Sequence, residues 1–75
     1  MTKHPRIEIN PDIMVGKPVI RGTRITVEHI LHRLTDYHTL PEFLDDYPNL
    51  TAEDVRAALA YAADQLPQPS KEQAA

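Results

Sequence analysis

Thr39-Leu40-Pro41-Glu42-Phe43-Leu44-Asp45-Asp46-Tyr47-Pro48-Asn49-Leu50-Thr51-Ala52-Glu53-Asp54-Val55 holds two helix starts with one helix stop between them. At the first start a Thr39 hydroxyl precedes the Glu42 carboxylate by three residues, with proline in the first turn. In this capping box each side chain satisfies a backbone N–H that the helix leaves orphaned. Phe43, Leu44 and Tyr47 mark the inner face of a short helix, and Pro48 ends it. Thr51 then caps a longer helix, with Asp54 at the reciprocal position and Glu53 beside it. Val55, Ala58, Leu59, Ala62 and Leu66 continue its apolar stripe until Pro67. Short helix, tight turn and longer helix form a helix-turn-helix outline, which many small bundles share without touching DNA.

Upstream, Thr26 is an N-cap, and Val27, Ile30, Leu31 and Leu34 fall at i, i+3, i+4 and i+7. This predicts a first helix running to about Tyr37, with Glu28 at the positive end of its dipole. Before it, residues 6–9 alternate polar and apolar and read as a short strand. Asn10-Pro11-Asp12 is a turn, Ile13-Met14-Val15 is apolar, and Gly16-Lys17-Pro18 turns the chain again. Val19-Ile20-Arg21 reads as a second strand, and Gly22 suits a tight turn before Thr23 because it takes positive φ without steric cost. The expected fold class is mainly α: short N-terminal β-strands followed by a three-helix, homeodomain-like helix-turn-helix bundle. One domain is expected over residues 1–66, with strands and turns in 6–25 and helices in 26–66. The polar residues 67–75 are expected to be a disordered tail.

A domain of 75 residues buries only roughly 60% of the surface its unfolded chain exposes. With no cysteine to form a disulfide or a thiolate metal site, oligomerisation or a partner is the expected extra source of stability. Short strands point the same way, since a lone two-stranded hairpin persists poorly and strand pairing across a dimer would remedy this. No apolar run approaches the roughly 20 residues that span a bilayer, and the first residues lack a signal peptide's apolar core. The expected compartment is the cytoplasm.

The net charge of −3 is unevenly spread. In residues 1–24, Lys3, Arg6, Lys17, Arg21 and Arg24 stand against Glu8 and Asp12, a balance of +3. Residues 25–75 carry three basic side chains against nine acidic ones, a balance of −6. A basic end on an acidic body fits phosphate or an acidic surface on one side, or two halves of a homodimer that complement each other. The candidate contact residues are Lys17, Arg21, Gly22, Thr23 and Arg24, with Lys3 and Arg6 as an arm. Arginine offers a planar fork that grips phosphate or carboxylate. The competing reading pairs these arginines with Glu8, Asp12 and the acidic body.

Other chemistry is poorly supported. Gly16-Lys17 is followed by Pro18, so no phosphate-cradling P-loop is present. His29, His32 and Asp36 share helical spacing, but Arg33 beside them opposes a metal ion, and His32 with Asp36 reads more simply as a helix-surface pair. His4 and His38 read as solvated. Asp45 and Asp46 are adjacent and diverge on a helix, and serine occurs only in the tail, so neither an acid–base pair nor a nucleophile set is expected. No enzyme activity, metal or cofactor is expected. The third helix would present Ala52, Glu53 and Arg56 and later Asp64, and its carboxylates oppose phosphate, so DNA contact would fall mainly to residues 17–24, with Lys3 and Arg6 as an arm.

Gly16-Lys17-Pro18-Val19-Ile20-Arg21-Gly22-Thr23-Arg24-Ile25-Thr26-Val27 resembles the signature of the domain-of-unknown-function family numbered 433. Tyr47-Pro48-Asn49-Leu50-Thr51-Ala52-Glu53-Asp54-Val55-Arg56-Ala57-Ala58-Leu59-Ala60-Tyr61-Ala62 resembles its second block, so the likeness covers about residues 6–66. The resemblance implies a small prokaryotic domain with a homeodomain-like core, regarded as the antitoxin of a type II toxin–antitoxin pair. Its implied partner is a PIN-like ribonuclease toxin, and such a protein often represses its own operon by binding DNA. The readings left beside it are a stand-alone helix-turn-helix transcription regulator and a protein-interaction module without nucleic-acid binding. One departure matters: many antitoxins wrap the toxin with an apolar C-terminal segment, whereas the residues after Leu66 are few and polar.

Overall fold

The computed structural model describes residues 4–67; Lys3 and the tail from residue 68 onward lie outside the described residues. Five elements carry the fold: β1 (Ile7–Glu8), β2 (Val19–Ile20), α1 (Val27–Leu34), α2 (Leu40–Asp46) and α3 (Ala52–Asp64). The result is three helices behind a small antiparallel sheet.

β1 pairs with β2 in the register Ile7 to Ile20 and Glu8 to Val19. The other edge of β2 is satisfied by the same chain. Val19 bridges Thr26, the Ile20 N–H donates to the Ile25 carbonyl at 2.9 Å, and the Val27 N–H donates to the Pro18 carbonyl at 2.9 Å. Residues 25–26 thus supply the third line of pairing for which the sequence reading invoked a second subunit. Both faces of β2 are buried, with Val19 at 0% and Ile20 at 2% exposure.

All three threonine caps form. Thr26 accepts from the His29 N–H at 2.9 Å. Thr39 and Glu42 close one capping box, and Thr51 and Asp54 close the other. α1 ends three residues earlier than its periodicity predicts. The Thr35 hydroxyl donates to the His32 carbonyl, and the Asp36 and Tyr37 N–H groups bond three residues back, which tightens and ends the turn. Tyr37 instead sets its ring edge-on to Phe43 at 5.4 Å and donates its phenol to Asp46 at 2.7 Å. That bond favours the neutral phenol and lifts its ionisation above the ordinary tyrosine range.

The core gathers Ile7, Ile20, Val27, Ile30, Phe43, Leu50, Val55 and Ala58. α1 packs on α3, and α3 also touches β1. The α3 stripe is narrower than its sequence implies. Val55 and Ala58 are buried, but Leu59 is 47% exposed, and Leu66 lies beyond the helix at 65%. α1 and β1 cover one side of α3, and Leu59 projects past that cover. Leu59→Ala is therefore expected to lower the unfolding free energy, read from urea titration, by about 1 kcal/mol or less, against the roughly 2–5 kcal/mol of a core truncation.

Two further departures concern the N-terminal third. His4 is not solvated: its Nε2 lies 2.6 Å from Asp64 Oδ2, and its ring meets Tyr61 edge-on at 5.7 Å. The turn expected at residues 16–18 begins earlier, as a 3₁₀-type turn over Met14–Gly16 closed by Gly16 N–H to Ile13 O and Lys17 N–H to Met14 O. Met14, Val15 and Gly16 all have positive φ, at 49°, 51° and 83°. Left-handed backbone is easy for glycine and costs about 1–3 kcal/mol at a residue such as valine.

Candidate functional site

The basic residues divide into committed and uncommitted charges. Residues 21–24 form the turn between β2 and the 25–26 line. The Thr23 N–H and hydroxyl both donate to the Ile20 carbonyl, at 3.0 and 2.8 Å, and the same hydroxyl accepts from the Ile25 N–H at 3.0 Å. Thr23 therefore holds the turn together, and its side-chain hydrogen bonding is spent internally. Gly22 sits at φ 83°, where a Cβ would meet nothing within 4 Å, so backbone conformation rather than space requires glycine there.

Arg21 and Arg24 flank this glycine, and both are exposed. The Arg21 N–H donates to the Arg6 carbonyl at 2.7 Å, and its Nε donates to the Pro5 carbonyl at 2.8 Å. Those bonds aim the side chain but leave its charge without a carboxylate. The Arg24 guanidinium makes no hydrogen bond or ion pair among the described residues. It lines a hollow of about 350 Å³ with Glu8, Ile13, Gly22 and Thr23.

Arg6 and Lys17 are balanced within the chain. Arg6 Nη1 bonds Asp54 at 2.8 Å. Lys17 Nζ bonds Glu28 at 3.0 Å, and this contact together with its charge holds the Glu28 carboxyl below the usual glutamate range. Arg6 still shares a cleft of about 430 Å³ with Pro5, Arg21 and Asp54. The structure thus brings Arg21, Gly22, Thr23 and Arg24 together, places Arg6 beside them with its charge matched, and ties Lys17 to α1. Glu8, expected as a possible partner of these arginines, lines the Arg24 hollow, whereas the Pro5 carbonyl that holds Arg21 carries no sequence signal.

The remaining candidates resolve simply. His29 Nε2 lies 3.0 Å from the Tyr47 hydroxyl, and Arg33 pairs with Asp36 at 3.1 Å. Among the described residues no group of three or more His, Asp or Glu side chains gathers for a metal, and no helix is long and apolar enough to cross a membrane. At the start of α3 Glu53 is exposed and Asp54 is buried in its cap.

The chain resembles solved and curated proteins over most of its length. A crystal structure of a DUF433 member protein from Anabaena variabilis superposes with a TM-score of 0.71 at 37% identity, covering 79% of this chain and 58% of that one. The Uncharacterized protein y4eO of Sinorhizobium fredii is 40% identical over 53 residues, which are 71% of this chain and 24% of that protein. The chain therefore spans about a quarter of the one relative and somewhat over half of the other. The family model described as "Protein of unknown function (DUF433)" matches residues 7–62, and the chain belongs to that family.

Proposed function

We propose that this domain is an antitoxin that binds and neutralises a PIN-like ribonuclease, with the 21–24 turn as its contact. The observation that carries the reading is the pair of arginines held out beside Gly22 on a hydrogen-bonded turn, one of them without a partner among the described residues. A rigid turn presenting two guanidinium forks fits carboxylates on a protein surface, with little ordering entropy lost on binding. The acidic body leaves this turn as the cationic feature offered to such a surface.

A second reading, operator binding, is favoured by the α2–turn–α3 outline. In it the same arginines would meet phosphate, because Glu53 opposes α3 in that role. Both readings are tested with Arg21→Glu/Arg24→Glu. Binding to the ribonuclease encoded in the same operon is expected to weaken about tenfold to a hundredfold by calorimetry, with a matching return of RNase activity. Unchanged affinity removes the turn from the interface, and no binding by the wild type removes the antitoxin reading. Operator binding instead requires wild-type affinity for duplex DNA that falls steeply with salt.

A further inference from the structure

Arg6 and Arg21 stand directly opposite each other at the end of the sheet. The pairing of Ile7 with Ile20 carries on by one step, and the Arg21 N–H donates to the Arg6 carbonyl at 2.7 Å. Residues opposed across an antiparallel pair send their side chains to one face, with Cβ atoms about 4.5–5.5 Å apart. Two cations in that relation repel each other unless negative charge lies beside them. Asp54 meets half of that need. One of its oxygens bonds Arg6 at 2.8 Å and the other accepts from the Thr51 N–H, so Arg21 is left without a carboxylate among the described residues.

Both guanidinium groups are held in place with most of their donors unspent. Arg21 gives its Nε to the Pro5 carbonyl at 2.8 Å, which leaves both of its Nη groups. Arg6 gives one Nη to Asp54, which leaves its Nε and its other Nη. The two side chains line one cleft of about 430 Å³ with Pro5 and Asp54. That volume lies within the roughly 300–1,000 Å³ of pockets that hold small molecules. Arg24 instead lines the separate hollow with Glu8 and Ile13.

We propose that the Arg6–Arg21 cleft binds the terminal phosphate of a small phosphorylated molecule. The number of oxygens selects the group. A guanidinium fork takes two oxygens, so one fork satisfies a carboxylate. A phosphodiester likewise offers only two unbridged oxygens. A terminal phosphate offers three, which two opposed forks can share, and it carries about −1.5 to −2 charge at pH 7. The surrounding charge selects a small molecule over a nucleic acid. Glu53 is exposed next to Asp54, and the whole chain carries −3, both of which oppose a polyanion. This binding needs no nuclease, so its failure and that of the antitoxin reading are separate results.

Titration of the isotope-labelled chain at constant ionic strength, followed by nuclear magnetic resonance, tests the site with three probes: methyl phosphate, dimethyl phosphate and acetate. Methyl phosphate is expected to shift the Arg6 and Arg21 side-chain N–H signals saturably, with the other two probes at least about tenfold weaker. Arg21→Lys keeps the charge and loses the fork, and it is expected to weaken methyl phosphate about tenfold while the other amide signals stay in place. Lys17→Gln removes a cation at the far end of β2 and is expected to leave the affinity unchanged. Shifts that do not saturate, acetate or dimethyl phosphate binding as tightly, an Arg21→Lys chain that binds like the wild type, or a Lys17→Gln chain weakened as much would each overturn the inference. So would duplex DNA that displaces methyl phosphate from the cleft at lower concentration, which would assign these arginines to a nucleic-acid backbone.

Discussion

Phe43→Ala is expected to leave this chain largely unfolded in water at 25 °C. Phe43 is fully buried, stacks on Tyr47 at 4.5 Å with the rings 16° from parallel, and meets Tyr37 edge-on at 5.4 Å. Truncating a buried phenylalanine costs about 3–5 kcal/mol in transfer and cavity terms. Losing two aromatic contacts adds about 0.5–1.5 kcal/mol for each. A domain of 75 residues has only about 4–11 kcal/mol of stability in total at typical values per residue. The cavity has little chance to close, because α2 is a seven-residue helix whose one fully buried side chain is this ring, Leu40 and Leu44 packing only partly against the core. Far-UV circular dichroism against urea reads the outcome. An unfolding free energy lowered by less than about 1 kcal/mol would show that α2 is held mainly by its capping box.

The elements that sequence reading located correctly are those whose determinants are local. Thr26, Thr39 and Thr51 cap as expected because a hydroxyl and an N–H three residues later are brought together by the first turn itself. Strand placement at residues 7–8 and 19–20 followed from alternation and turn residues in the same way. Leu59 shows the limit of periodicity. It shares helical spacing with Val55 and Ala62, yet whether a residue at the edge of the stripe is covered depends on what packs there, and nothing covers Leu59 fully.

The candidate site was legible as a segment but not as a charge pattern. Arg21 and Arg24 stand out beside Gly22, but Lys17 is grouped with them and Arg6 is added as an arm, and the sequence does not show that the structure balances both charges. Asp54 lies 48 residues from Arg6 and Asp64 lies 60 residues from His4, and no local rule indicates such pairings. The left-handed run at Met14 and Val15 was also invisible, because neither residue favours that backbone; β-branched valine instead favours extended structure. These are the places where tertiary contacts override local preference.

Asp54→Ala is expected to cost about 1–3 kcal/mol and to disturb binding as well as stability. One oxygen of this nearly buried carboxylate accepts from the Thr51 N–H at 3.0 Å, and the other accepts from Arg6 at 2.8 Å. The cap contributes about 1 kcal/mol, the negative charge at the start of α3 about 0.3–1, and the ion pair about 1 or less because Arg6 is half exposed. The same pair fixes the chain segment whose Pro5 and Arg6 carbonyls hold Arg21. Releasing Arg6 from α3 should therefore loosen the 21–24 turn, so Asp54→Ala loses both urea stability and partner affinity, whereas Arg24→Ala loses affinity alone. A double-mutant cycle between Asp54→Ala and Arg6→Ala measures the link directly. A coupling energy near zero would mean that the N-terminal segment is positioned by the β1–β2 ladder, and that Asp54 serves the α3 cap only.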